Sequence, residues 1–119
     1  MKAHDIEERL ISISCKVLQI TESMPKKPAA KHLGNQIIRS ATSPALNYGE
    51  AQAAESREDF IHKMKICLKE LRETYVCLKI ISSMNFVSGE NLFSLLQENN
   101  ELISIFVKSL KTASIKNTQ

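Results

Sequence analysis

The chain has 119 residues, of which 43% are apolar and only 5% aromatic, with three Gly and three Pro. That is enough sequence for a single domain burying about two thirds of its unfolded surface, and the Leu/Ile-rich, turn-poor composition argues against short strands joined by tight turns and for packed helices. A formal net charge of +3 does not by itself imply nucleic acid, and three cysteines, Cys15, Cys67 and Cys77, without C-x-x-C spacing indicate neither a disulfide framework nor a zinc site.

Met1 to Asp5 are followed by Glu7, Glu8 and Arg9, which interrupt any signal-peptide apolar stretch. No apolar run approaches the roughly 20 residues that span a bilayer. The expectation is a cytoplasmic protein with no membrane partner, folded as one domain over residues 1–119. Helix one is predicted from about Asp5 to Glu22, because Ile6, Leu10, Ile13, Val17 and Ile20 recur at three- and four-residue steps. Met24-Pro25-Lys26-Lys27-Pro28 then stops it, since each proline removes an N–H and biases the residue before it away from the α region. Helix two follows from about Ala29 to Ala53.

Ser56-Arg57-Glu58-Asp59 has the pattern of a capping box, with Ser56 accepting from an orphan backbone N–H and Asp59 reaching back. Helix three starts there and runs to about Met84, its core stripe being Phe60, Met64, Cys67, Leu71, Tyr75, Leu78 and Ile81. Ser88 is the expected cap of a fourth helix carrying Leu92, Leu95, Leu96, Ile103, Phe106 and Leu110. That helix is predicted to end near Lys111, leaving residues 112–119 as a polar tail that frays. Four amphipathic helices on short connections predict an all-α, antiparallel four-helix bundle.

Four blocks in this central region have a recognisable order and spacing. They are Arg39-Ser40-Ala41-Thr42-Ser43-Pro44-Ala45-Leu46-Asn47-Tyr48-Gly49-Glu50-Ala51, then Ala54-Glu55-Ser56 with Asp59-Phe60-Ile61-His62-Lys63, then Leu68-Lys69-Glu70-Leu71-Arg72-Glu73-Thr74. Together they resemble the four-helix-bundle proteins of the 23S rRNA intervening-sequence family. The resemblance implies a left-handed up-down bundle that assembles into a homopentamer. A related branch serves diversity-generating retroelements as a basic accessory protein that binds nucleic acid and a reverse transcriptase. The resemblance supplies no reaction. Pro44 stands where a β-branched residue is commoner in the family, and it bears on helix two because an interior proline usually kinks or breaks a helix. Gly49 and Ala51 vary the small-residue order around Glu50, and Val76-Cys77 replaces a pair that is often aromatic.

On helix two, Gln36, Ser40, Ser43, Asn47 and Glu50 follow four, three, four, three spacing and form one polar seam. Beside it runs a line of Ala30, Gly34, Ile37, Ala41, Pro44, Tyr48 and Ala51. The polar seam is either a solvated face or a hydrogen-bonded interhelical or intersubunit seam, since polar groups at such positions can fix register and oligomer state. The blocks that carry the resemblance include Arg39, Ser40, Asn47 and Glu50, which favours the second reading.

Helix three carries a basic line, Lys65, Lys69, Arg72 and Lys79, interrupted by Val76. An amphipathic helix commonly solvates such a face, yet like charges at i, i+4 are slightly unfavourable, and Lys69 to Glu73 offers only partial relief. No acid occurs between Glu22 and Glu50, where Lys26, Lys27, Lys31 and Arg39 lie, and only Lys108, Lys111 and Lys116 follow Glu101. Repeated in a pentamer, these patches would make a salt-dependent phosphate-binding surface. Tyr48 and Tyr75 are expected to be in packing positions, so base readout has little support. The nucleic-acid candidates are therefore Lys65, Lys69, Arg72, Lys79 and Arg39.

An enzyme is not indicated. His4, His32 and His62 are scattered and lack adjacent partners. Glu70 and Glu73 are read as surface carboxylates pairing with Lys69 and Arg72. Cys15 and Cys67 are expected to pack as small hydrophobes and Cys77 to be partly exposed. No catalytic, metal or cofactor site is predicted. The function expected is a non-enzymatic homopentamer binding RNA or DNA with low sequence specificity, or else a scaffold for a protein partner that never contacts nucleic acid.

Overall fold

In the computed structural model, which describes residues 2–118 and the side chains of residues 2–115, four helices follow one another: α1 (Ala3–Glu22), α2 (Pro28–Gln52), α3 (Arg57–Ser83) and α4 (Glu90–Thr118). The stripe expected on α1 faces inward, with Ile6, Leu10, Ile13 and Val17 buried. Pro28 opens α2 at its first helical turn, where a missing N–H costs nothing because that donor has no intrahelical partner anyway. Ala30, Gly34, Ile37, Ala41, Pro44, Tyr48 and Ala51 are the buried line of α2, joined by Ser40.

Pro44 does not break α2. The neighbouring helices reach its backbone on either side: the Ser14 hydroxyl of α1 lies 3.0 Å from the Ala41 carbonyl, and the Cys67 thiol of α3 is 3.5 Å from the Pro44 carbonyl. The carbonyl that loses its intrahelical donor is that of Ser40, four residues back, and α2 is carried through the gap by packing against both α1 and α3.

Ser56 caps α3, its hydroxyl accepting the Asp59 N–H at 3.0 Å. At the other end the chain turns through Asn85 at φ 57, and its N–H and that of Phe86 return to the carbonyls of Ser82 and Ile81. This is a Schellman closure, in which Asn tolerates the left-handed conformation and Phe86 packs back on the core. The buried face of α3 is broader than its apolar stripe. Glu70, Thr74 and Cys77 are buried, while Tyr75, expected in the core, is only half-buried. The reason is position: α3 packs on both α2 and α4.

The start of α4 differs from expectation. Gly89, at φ 106, precedes the first helical residue and its carbonyl accepts the Phe93 N–H, so the entry turn uses a conformation that glycine favours rather than a Ser88 cap. The helix also continues to Thr118, past the boundary expected at Lys111.

Successive helices pack on one another in chain order, and a thinner contact between α1 and α4 closes the ring. Short connections between long helices make neighbours antiparallel, giving an all-α four-helix bundle of 51 × 23 × 21 Å. All four helices feed one core. Within it Tyr48 and Phe106 meet edge to face, with ring centroids 5.7 Å apart, while Arg9 bridges to Glu98 at 2.5 Å and Glu101 at 3.2 Å across the α1–α4 gap.

Candidate nucleic-acid interface

The polar seam of α2 lies along its junction with α3. Ser40 is fully buried, its hydroxyl 2.9 Å from Thr74 Oγ1, which is also 2.9 Å from the Glu70 carbonyl. Glu50 reaches across to Lys63 at 3.2 Å. Asn47 instead donates within its own helix, to the Ser43 carbonyl at 3.0 Å and hydroxyl at 2.9 Å, and Gln36 is exposed. Arg39 stands at the outer edge of this junction. Its guanidinium donates to buried Glu70 at 2.8 Å and also to Glu73, and these hydrogen bonds, Glu73's first, raise its pKa and keep it charged.

This arrangement corrects the reading of Glu70 and Glu73 as surface partners of Lys69 and Arg72. Both carboxylates turn toward α2. The sequence holds a signal for it: Lys63, Cys67, Glu70, Thr74 and Cys77 repeat at four, three, four, three steps, so α3 has its own largely polar line facing the α2 seam. The same rotation of α3 explains Cys77. Cys77 is buried and its thiol pKa raised by that burial, whereas Cys15 points outward from α1. Cys67 is buried as expected, and burial pushes its thiol up to about 12.

With Glu70 and Glu73 drawn toward α2, the charges on the outer face of α3 beyond its first turn, where Glu58 stands seven residues before Lys65, are cations. Lys65, Lys69, Arg72 and Lys79 are all exposed on one side of the helix. Among the described residues the ion pairs are Arg9 with Glu98 and Glu101, Arg39 with Glu70 and Glu73, and Lys63 with Glu50, so none of these four has a carboxylate partner. Arg39 does not stand with them.

Two residues of α4 extend the positive surface. Arg72 and Lys111 line a shallow hollow of about 530 Å³ with Leu68 and Val107, and Lys108 lines another of about 660 Å³ with Arg57 and Phe60. Sequence reasoning noted both lysines but had no means of placing them beside α3. A third hollow, of about 820 Å³, is bordered by Lys26, Lys27 and Lys31 at the α1–α2 corner.

His4, His32 and His62 are exposed and far apart in the sequence, and among the described residues no three His, Cys, Asp or Glu side chains come together as metal ligands would. No described helix is long and apolar enough to cross a membrane. Chemically the basic face offers permanent positive charge, which suits a polyanion's backbone.

The 23S rRNA-intervening sequence protein family model matches residues 2–108. A solved structure from Bacteroides thetaiotaomicron, described as a protein of unknown function from the S23 ribosomal protein family, has the same fold with a TM-score of 0.84. It is 26% identical, and the likeness covers 93% of this chain and 99% of that one. None of the curated proteins matches the chain.

Proposed function

The chain belongs to the 23S rRNA-intervening sequence protein family, and on that premise we propose that it is a non-enzymatic, cytoplasmic homopentamer that holds RNA or DNA by the phosphate backbone, with low sequence specificity. The observation that carries this reading is the separation of charge beyond the first turn of α3: Glu70 and Glu73 are paired to Arg39 of α2, and Lys65, Lys69, Arg72 and Lys79 face outward without carboxylate partners. A line of like charges is mildly unfavourable in the free protein. Phosphates relieve that repulsion and release counterions, so binding supplies what the fold leaves out.

The proposed assembly uses the outer face of α2. Leu46 is 70% exposed on its outer face, flanked one turn away by Ser43 and Glu50 of the polar seam and by the small residues Thr42 and Gly49. An apolar side chain amid short polar and small groups suits close approach of a second copy. Fivefold repetition multiplies each basic face, which raises the local potential beyond what a net charge of +3 gives one subunit.

A second reading has its own observation. Val76, Ile80 and Met84 are exposed at four-residue steps along α3, an apolar line that suits a protein partner. Fluorescence anisotropy of a labelled oligonucleotide across a salt series separates the two. Backbone binding predicts that affinity falls steeply as salt rises, whereas an apolar protein contact predicts no oligonucleotide binding at all.

A further inference from the structure

Phe93 is an aromatic side chain displayed at 62% exposure on α4, and its position ties it to the basic face. Lys111 follows it by eighteen residues, five whole helical turns, so the two share one line along α4. Lys111 borders the hollow that Arg72 of α3 also lines, so this line is the edge of α4 turned toward α3. Asn99 fixes the antiparallel register, its Nδ2 donating to the Leu71 carbonyl at 2.9 Å. Six residues before Asn99 and six after Leu71, Phe93 comes level with Cys77 and therefore within a turn of Lys79. A track about 27 Å long, at 1.5 Å per residue, thus runs along α4 from Phe93 to Lys111, and in this register Arg72, Lys69 and Lys65 of α3 lie between its ends, with Lys79 beside Phe93.

We infer that this α3–α4 track takes single-stranded nucleic acid, with the Phe93 ring stacking on a base while the cations follow the backbone. The inference rests on the reading above and adds the strand state of the ligand. Cations alone do not distinguish strand states. An exposed ring does, because bases inside a duplex have their faces covered, whereas each base of a single strand offers a π-face for stacking. The track would hold about eight nucleotides at 3.4 Å each. Stacking tolerates any sequence, because every base has a π-face, so unrelated RNA and DNA strands should bind alike.

The chain contains no tryptophan, so Phe93→Trp places a sole reporter on the track. Its emission should be quenched by a 12-nucleotide single strand of RNA or DNA and unaffected by an abasic strand of the same length. In anisotropy, wild type should bind the base-bearing strand about fivefold tighter than the abasic one, the lower end of what one stacked base contributes. Phe93→Ala should erase that preference while leaving the salt slope unchanged. Salt-dependent binding that ignores the bases, or a Phe93→Ala variant that keeps the preference, overturns the track and leaves the phosphate reading standing. If no nucleic acid binds at any salt concentration, both fail. If Phe93→Ala changes the oligomer mass, the ring belongs to a subunit contact and the inference is wrong.

Discussion

Asn99 is fully buried on α4, and its Oδ1 has no hydrogen-bond partner in the structure. Its Nδ2 bonds the Leu71 carbonyl, which sits mid-helix and already belongs to the α3 ladder. The amide therefore adds one modest hydrogen bond and leaves one desolvated acceptor, and the second effect is the larger. Asn99→Leu, of the same branched shape, should raise stability by about 1 kcal/mol in urea denaturation. An unchanged or lower midpoint would mean that a partner for Oδ1 exists. Ser40 and Thr74 differ from Asn99, because each satisfies the other across the α2–α3 junction and both are completely buried. Arg39 is the residue whose role shifts most between sequence and structure. As a cation in an acid-free stretch it looked like a phosphate ligand, yet its fork closes on two carboxylates. No local pattern on α2 announces them, since both lie more than thirty residues away.

Among the elements, the docking of α4 on α1 is the thinnest, and Arg9 spans it. Its hydrogen bond holds the Glu98 carboxyl below the ordinary value of 4.5. A carboxylate whose pKa is depressed by folding stabilises the fold at pH above the ordinary value, and that contribution disappears as pH falls through the lower folded value. Melting temperature should therefore fall in this acid window for wild type. Arg9→Gln should melt lower at pH 7 and show a flatter profile below 4.5; superimposable profiles would show that the bridge does not couple α1 to α4.

The boundaries of these elements were legible wherever a residue has one physical role. Pro25 and Pro28 end one helix and start another, and Ser56 caps α3 as its spacing requires. Gly89 was missed because Ser88 is also a good cap, and only the backbone conformation chooses between them. Rotation about each axis was legible for apolar stripes but not for Cys15, Cys77 and Glu70. Their burial depends on which neighbour a helix faces.

At the scale of the molecule, the proposed function needs two surfaces, one for other copies and one for phosphates. Leu46 lies on the outer face of α2, while the cations lie on the outer face of α3 and the neighbouring edge of α4. The surfaces are therefore separable by mutation. Leu46→Glu puts a charge into the proposed subunit contact, where burying it without a partner costs on the order of several kcal/mol. Sedimentation velocity should show it as smaller species, with the helical circular dichroism unchanged. A variant that keeps the wild-type mass would show that this part of α2 is simply solvated.

The most direct measurement of the central claim is affinity against salt for Lys69→Gln combined with Arg72→Gln, with oligomer mass followed in the same samples. Glutamine is a good helix former, so α3 should persist while each subunit loses two positive charges. The account predicts weaker binding by a similar factor for unrelated sequences. It also predicts a slope of log affinity against log salt that is shallower by roughly one unit per lost phosphate contact, with mass unchanged. Unchanged affinity and slope in an intact oligomer would contradict it and transfer the preference to the protein scaffold.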